Sequence, residues 1–459
     1  MLKKLRPEPG FYRRLCLLAL PLVIQNLITT SLGFVDTFMV GLMGSNELSA
    51  VTAANTPIFL LQCTIFGMMS GLSVLVTQYW GQQDIRSINR CLGVVLYIAL
   101  GISSLAAGAL FFFPTQIMSF VTNNPLLIEL GAPYLQLVGL GYIFNSVSSV
   151  YVSLQRSTEN PAFGMVLFGV SMLVNTFLNY VFIFGNLGAP KLGVTGAALA
   201  TMMARVLEFI IVCIYAARNR RTPLIASALL RPGKDFFRKT IQYSAPVIFN
   251  ETVWSAGVST VTVIMGHMAI SADMLAAHAI MGNIDKVATV SCFGVANAGA
   301  VMVGKRIGER ANRDNIYHLG VSVSIAALLC GAIVSAILAI LLPTVFIPYL
   351  YPLFKLSPQA TQIATTLCIV YIFLLPLRSY DATVIVGVLR AGGDSLAAAL
   401  LDIVPIWLIS LPVMALLALV LDAPIALVCI AAQSENLIKW PLSTSRLRSR
   451  KWINDVTIS

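Results

Sequence analysis

The sequence has little charge for its length. Only 11% of its 459 residues are Asp, Glu, Lys or Arg, and 58% are hydrophobic. A soluble domain has about 25% charged and about 45–50% apolar residues. No segment of the chain has the composition of a separate soluble domain. We therefore expect a polytopic membrane protein.

The sequence is also poor in the residue patterns that carry enzyme chemistry. It has three histidines, and no pair of its eight cysteines has the spacing of a metal site. None of the cysteines falls in a predicted outer loop, so we expect free thiols. There is no nucleophile set and no Walker sequence. These absences argue against an enzyme, a resident cofactor and ATP as the energy source.

Long apolar runs make up most of the chain. About 20 residues of helix cross the ~30 Å hydrocarbon core of a bilayer, and the first run, Leu17–Met43, is too long for the core of a signal peptide. Breaks at turn and charge clusters predict an all-α fold with twelve transmembrane helices. They lie at about 15–42, 49–79, 91–113, 129–153, 161–185, 193–217, 240–267, 274–304, 315–342, 359–389, 396–421 and 424–441.

The basic residues lie almost entirely on one side of this predicted topology. The two ends of the chain, which include Lys3, Lys4, Arg6 and Lys439, and the even-numbered loops, which include Arg390, hold nearly all of the 30 Lys and Arg residues. The opposite loops hold only Lys191 and Lys355. This bias predicts that both termini are cytoplasmic. It also explains the net charge of +11 by attraction to an anionic inner leaflet and makes nucleic-acid binding improbable.

The two halves of the chain repeat each other. Pro21 and Pro246 are 225 positions apart, and Gly67 and Gly294 are 227 apart. We expect two six-helix lobes, at 1–217 and 240–459 with its basic tail, joined by a cytoplasmic connector at 218–239. Because each lobe has an even number of helices, a pseudo-two-fold axis along the membrane normal would relate them. Such lobes are typical of transporters with alternating access; a scaffold or a channel is the alternative.

Polar residues in the first half predict a cation site. Asp36 is an acid inside an apolar helix, and such an acid usually faces a cavity or a partner; an interfacial acid near a helix end is the alternative. Asn175 and Asn179 share one helix face. With Asp36 and Thr201 they would supply oxygen ligands suited to Na+, unless they only join helices by hydrogen bonds.

Glu251 is the candidate of the second half. It follows Pro246 by five residues, where the proline ring can open the helix. The carboxylate would alternate between a proton and a cation. The alternative is a structural ion pair with Lys286 or Arg378.

Further charged residues fall inside predicted helices. Arg378 and Asp381 are three apart and are expected to pair, within a polar cluster that also holds Asp285 and Lys286. Arg205 and Glu208 are expected to form a structural pair. The pattern assigns no role to Asp402 and Glu435, and it predicts two loop-facing histidines, His267 and His278.

Several stretches together resemble one transporter family. GFVDTFMVG (33–41), NTFLNYVFIFG (175–185), APVIFNETVW (245–254) and GVLRAGGDS (387–395) resemble multidrug and toxic compound extrusion transporters, the MATE family, in the bacterial branch that includes NorM. The resemblance implies export of amphipathic, mostly cationic compounds in exchange for Na+ or H+, by a monomer in the bacterial inner membrane. It implies coupling roles for Asp36, for Asn175 and Asn179, for Glu251 and for Asp381.

A lipid-linked oligosaccharide flippase of the same superfamily is the nearest alternative. Flippase cavities tend to hold several arginines, whereas Arg205 and Arg378 are the central ones here. That difference favours drugs as substrates. The residues that would bind the substrate are not assigned by the sequence.

Overall fold

The computed structural model describes residues 9–268, 270–354 and 356–458. Lys3, Lys4, Arg6 and Lys355, which the topology prediction used, lie outside these ranges. Within them, all regular elements are helices. The predicted all-α membrane fold is therefore confirmed.

Eight α-helices make up the first half of the chain. They are α1 (Phe11–Gly41), α2 (Ser45–Gly81), α3 (Ile85–Phe112), α4 (Pro114–Val121), α5 (Pro125–Ser157), α6 (Pro161–Phe184), α7 (Val194–Arg218) and α8 (Ala226–Leu230). Proline begins α5 and α6, where its missing N–H loses no hydrogen bond. Helices α4 and α8 are short and were not predicted.

The helices of the second half are less regular. They are α9 (Lys234–Gly266), α10 (Ser271–Gly308), α11 (Arg313–Leu341), α12 (Tyr351–Leu353), α13 (Pro358–Ala382), α14 (Ser395–Val404), α15 (Leu411–Ala415), α16 (Ile425–Gln433) and α17 (Glu435–Ser449). Four π-helical segments extend or join them: Leu342–Leu350, Thr383–Arg390, Pro405–Ser410 and Leu416–Val420. Such wider turns are rare in helices and often occur at functional sites.

Eleven helices of the described part are long and apolar enough to cross a membrane. They correspond to the first eleven predicted spans. Where the sequence predicts the twelfth, at 424–441, the structure has two shorter helices, α16 and α17, that meet at Ser434. Helix α17 continues into the basic tail as far as Ser449.

Two compact units divide the chain. One is Ile24–Ile248, which we call the first unit, and the other combines Met1–Val23 with Phe249–Ser459, which we call the second unit. The boundaries fall inside α1 and α9, the first helix of each sequence repeat. The domain limits predicted from the repeat itself, 1–217 and 240–459, remain a prediction.

Matching glycines in the two sequence repeats mark close helix packing inside each unit. A Cβ added to Gly67 of α2 would lie 2.8 Å from the Cα of Ile248 in α9, within the first unit. A Cβ added to Gly294 of α10 would overlap the Cγ2 of Val23 in α1, within the second unit. The two glycines let a helix approach closely at the same place in each repeat.

A shared turn supports the same conclusion. Gln83 follows α2 with φ of 57°, and Arg310 follows α10 with φ of 54°. The two residues are 227 positions apart, which is the spacing of the glycine pair. Left-handed backbone is uncommon for residues other than glycine, so its recurrence in register indicates one architecture used twice.

Candidate functional site

Three helices of the first unit bring together the four residues predicted as a cation site. Asp36 lies on α1, Asn175 and Asn179 lie on α6, and Thr201 lies on α7. The Nδ2 of Asn179 donates to the Oδ1 of Asp36 at 2.6 Å and to the Oδ1 of Asn175 at 3.1 Å. The Nδ2 of Asn175 donates to the Oγ1 of Thr201 at 3.4 Å. The four side chains form one hydrogen-bonded chain.

This hydrogen-bonded set of side chains is largely buried and has an acceptor atom that is not used. Asn175 and Asn179 are each 1% exposed, and the Oδ1 of Asn179 is buried without a hydrogen-bond partner. Asp36 is half-buried and has an amide, not a cationic side chain, as its hydrogen-bonding partner. Leaving a buried polar atom unpaired costs about 1–3 kcal/mol. A bound ion or a rotated amide would therefore be favourable here.

A charged pair lies one helical turn beyond Thr201. The Nη1 of Arg205 donates to both carboxylate oxygens of Glu208, at 2.8 and 3.0 Å. Glu208 is fully buried. The predicted pair is thus formed and its charges neutralise each other. Asp36 has no ion-pair partner of this kind in the described part of the chain.

A cavity of about 360 Å³ opens beside this pair within the first unit. Its walls combine polar side chains with aromatic and apolar ones, contributed by α1, α2, α5, α6 and α7. They include Gln62, Asn145, Arg205, Phe66, Phe168 and Met69. Apolar walls with a few placed polar groups are typical of small-molecule sites.

In the second unit, Glu251 forms an ion pair with an arginine that the sequence analysis assigned to a loop. The Nη1 of Arg390 donates to the Oε1 of Glu251 at 2.7 Å. The predicted alternative, an ion pair of Glu251 with Lys286 or Arg378, is wrong. Arg390 is 2% exposed, although the sequence assigned it to a cytoplasmic loop. Its place at the end of the π-helical segment Thr383–Arg390 directs it into the unit.

The same network explains the acids that the sequence left without a role. The Nη2 of Arg390 lies 3.9 Å from Asp402, and the Nζ of Lys439 donates to Asp402 at 2.7 Å and to Glu435 at 2.9 Å. Lys439 is buried, contrary to its assignment to the tail. The four-residue spacing of Glu435 and Lys439 on one helix was the sequence signal for this contact.

Asp381 has a different interaction partner from the one predicted. It does not pair with Arg378, because α10 places Asp285 opposite that arginine, with Nη1 and Nη2 of Arg378 at 2.7 and 3.3 Å from its two oxygens. Asp381 instead accepts a hydrogen bond at 2.6 Å from the Oγ of Ser443. Its Oδ2 is buried without a partner.

The Asp285–Arg378 pair lines a smaller cavity of about 120 Å³ within the second unit. The hydroxyl of Tyr371 also donates to Asp285, at 2.6 Å. His278 lines the cavity and lies 3.3 Å from the Oγ1 of Thr262, so the prediction that it faces a loop is wrong. The cavity combines an ion pair with apolar walls.

Comparisons with known proteins agree on one family. The family model described as MatE matches residues 21–181 and 246–431, which include most of the residues described above. The uncharacterized transporter YisQ of Bacillus subtilis is 24% identical over 448 residues, which cover 94% of this chain and 93% of that protein. The multidrug resistance protein PmpM of Pseudomonas aeruginosa is 27% identical over 408 residues, covering 87% of this chain and 83% of that protein.

Solved structures show the same fold. The MATE transporter VcmN of Vibrio cholerae has a TM-score of 0.85 at 18% identity, over 97% of this chain and 98% of that one. A multidrug resistance MATE family transporter in an outward-facing conformation has a TM-score of 0.84 at 16% identity, over 98% of each chain.

Proposed function

Because this chain belongs to the MatE family of membrane transporters, we propose that it exports amphipathic, mostly cationic compounds in exchange for Na+ or H+. The names of relatives such as PmpM, a multidrug resistance protein, support this substrate class. Membership of a transporter family also agrees with the prediction that the chain is not an enzyme. We further propose that it acts as a monomer in the bacterial inner membrane, with both termini in the cytoplasm.

The observation that carries the proposal is the hydrogen-bonded set of polar side chains that includes Asp36. Among the described residues, no group of three or more His, Cys, Asp or Glu side chains is arranged to hold a metal ion. An ion at Asp36 would therefore need neutral oxygen ligands as well. Asn175, Asn179 and Thr201 can supply them, and the unpaired Oδ1 of Asn179 fits that use. Oxygen ligands of this kind suit Na+, and a proton on Asp36 would neutralise the same charge.

Coupling follows from the charge of Asp36. Arg205 is paired with Glu208, so Asp36, which has no ion pair among the described residues, would attract a cationic compound into the first unit. A bound Na+ or proton removes that attraction. Two ligands that disfavour each other's binding in this way can be exchanged across a membrane if they also prefer different conformations.

In the second unit, we propose Asp381 as the principal ion-responsive acid. Its Oδ2 is buried and unpaired, and a proton or cation is what such an oxygen lacks. Glu251 is already neutralised by Arg390 at 2.7 Å. Glu251 would therefore take up a cation or proton only in a state in which that ion pair opens.

The flippase alternative predicts several arginines free to bind phosphate. The arginines that line the two cavities, Arg205 and Arg378, are each neutralised by an acid, Glu208 and Asp285. This pairing favours drug export. A flipping assay with lipid-linked oligosaccharide in proteoliposomes distinguishes the two, because drug export predicts no flipping above empty vesicles.

The direct test is efflux from proteoliposomes. Vesicles loaded with a cationic dye receive an imposed Na+ gradient or an imposed H+ gradient, one at a time. We expect one of them to drive dye against its concentration gradient. Absence of uphill transport under both gradients would contradict the proposed function.

A further inference from the structure

The C-terminal segment Arg450–Val456, which follows α17, is docked into the second unit. Trp452 is 0% exposed and Val456 is 1% exposed. The Nε1 of Trp452 donates to the carbonyl of Leu447 at 3.0 Å. Such burial of a tryptophan is unusual for the end of a basic tail, and it indicates a built contact.

Gly320 and Gly392 leave room for this segment, and we call the packing site that they form the socket. A Cβ on Gly392 would overlap the carbonyl oxygen of Trp452, and one on Gly320 would lie 3.1 Å from its ring. The backbone N–H of Asn454 donates to the carbonyl of Gly392 at 3.0 Å. The Nη2 of Arg313 donates to the carbonyls of Arg450 and Ile453, at 3.3 and 3.4 Å.

The socket is continuous with Arg390. Gly393 donates its backbone N–H to the carbonyl of Arg390 at 2.9 Å. The side chains of Val388 and Leu389, which precede Arg390, belong to the same buried cluster as Trp452. The residue that begins this turn is therefore the same arginine whose guanidinium contacts Glu251.

The first unit has an equivalent turn and an equivalent docked segment. Glu159, 234 positions before Gly393, is also left-handed, with φ of 61° against 80°. Here the connector takes the place of the tail: Thr222 is 2% exposed and accepts a hydrogen bond at 3.1 Å from the Nε2 of Gln155. Arg156, at the position that corresponds to Arg390, donates a hydrogen bond to the hydroxyl of Ser153 at 3.3 Å. The link to an acid is specific to the second unit.

We propose that Trp452 is a positioning residue, through which the C-terminal segment holds Arg390 in its ion pair with Glu251. This rests on the proposed function in so far as the ion pair affects transport. The geometric claim, that docking of Trp452 and the Arg390–Glu251 contact depend on each other, stands apart from it.

A double-mutant cycle on the full-length protein in detergent tests the geometric claim. Trp452→Ala, Glu251→Gln and the double variant are compared by thermal unfolding. If Trp452 positions Arg390, the two shifts in Tm are not additive, because each change weakens the same contact. Additive shifts would overturn the proposal. Trp440→Ala, at a tryptophan that is 47% exposed, is the matched control and should be additive with Glu251→Gln.

Transport gives a second readout that a purely structural role would not move. In proteoliposomes matched for the amount of folded protein, Trp452→Ala should lower kcat for dye efflux about tenfold with little change in KM. Trp452→Phe should restore most of it. In an Arg390→Ala background, Trp452→Ala should have little further effect; an undiminished further loss there contradicts the proposal. If the wild-type protein transports nothing, the proposed function fails and the Tm cycle alone decides the role of Trp452.

Discussion

The replacement Asp36→Asn is the sharpest test of the coupling proposed for the first unit. Asparagine has nearly the same shape as aspartate, and its carbonyl oxygen can still accept the hydrogen bond that Asn179 donates at 2.6 Å. The change removes the charge and leaves the packing in place. Expression and Tm should therefore remain near those of the wild type.

The size of the effect follows from the electrostatics. If the charge of a bound compound is taken to lie about 8 Å from Asp36, an effective dielectric constant of about 20 gives an attraction of about 2 kcal/mol. Losing that attraction weakens binding of a cationic compound about thirtyfold. Gradient-driven efflux should fall further, to the level of empty vesicles, because the coupling ion loses its site as well.

The assay compares dye binding and uphill dye efflux in the same preparation. Glu129→Gln is the matched control, since it removes an exposed acid on α5 of the same unit. It should leave both quantities unchanged. Uphill efflux that remains undiminished in Asp36→Asn would refute the assignment of the coupling ion to Asp36.

Three further predictions concern neighbouring contacts. Asn179→Ala leaves Asp36 and Asn175 without their shared donor and should lower efflux at least about tenfold in proteoliposomes, a loss of about 1.4 kcal/mol, whereas loss of less than twofold would contradict it. Gly294→Ala should destabilise by about 1–3 kcal/mol through its overlap with Val23, and Val23→Ala should restore the Tm in the double variant; no restoration would count against the packing. Arg390→Ala leaves the half-buried Glu251 without its cation and should destabilise by about 3–5 kcal/mol, measured by thermal unfolding, and a change below 1 kcal/mol would contradict it.

Much of the fold could be predicted because lipid imposes simple rules on sequence. Apolar length marked eleven membrane helices, and the spacing of Gly67 and Gly294 marked the repeat. The short helices α4 and α8 escaped prediction, since they are too short to leave a periodic signal. The exchange of the first parts of α1 and α9 between the compact units also escaped it. Spacing along a chain does not say which half a helix packs against.

The candidate site of the first unit was predictable because the spacing and the type of its residues indicate which side chains meet. Asn175 and Asn179 share a helix face by their spacing alone, and an acid such as Asp36 in an apolar helix must have a polar neighbour. In the second unit, spacing along one helix indicated only the Glu435–Lys439 contact and not the partners of Glu251 and Asp402. Arg390 and Lys439 lie at or near the ends of predicted helices, so the positive-inside pattern led us to assign them to cytoplasmic segments.

The acids Asp402 and Glu435 offered a sequence argument by which Arg390 and Lys439 could have been identified as their partners. Asp402 and Glu435 lie in apolar segments, and an isolated ionised carboxylate is too unfavourable there to persist without a partner. Each therefore required a cation, and the basic residues nearest the predicted helix ends were the available ones. The two units consequently differ in chemistry despite their shared architecture. Asp36 has no ion pair among the described residues, whereas Glu251 is paired with Arg390, so we expect loss of Asp36 and loss of Glu251 to affect transport unequally.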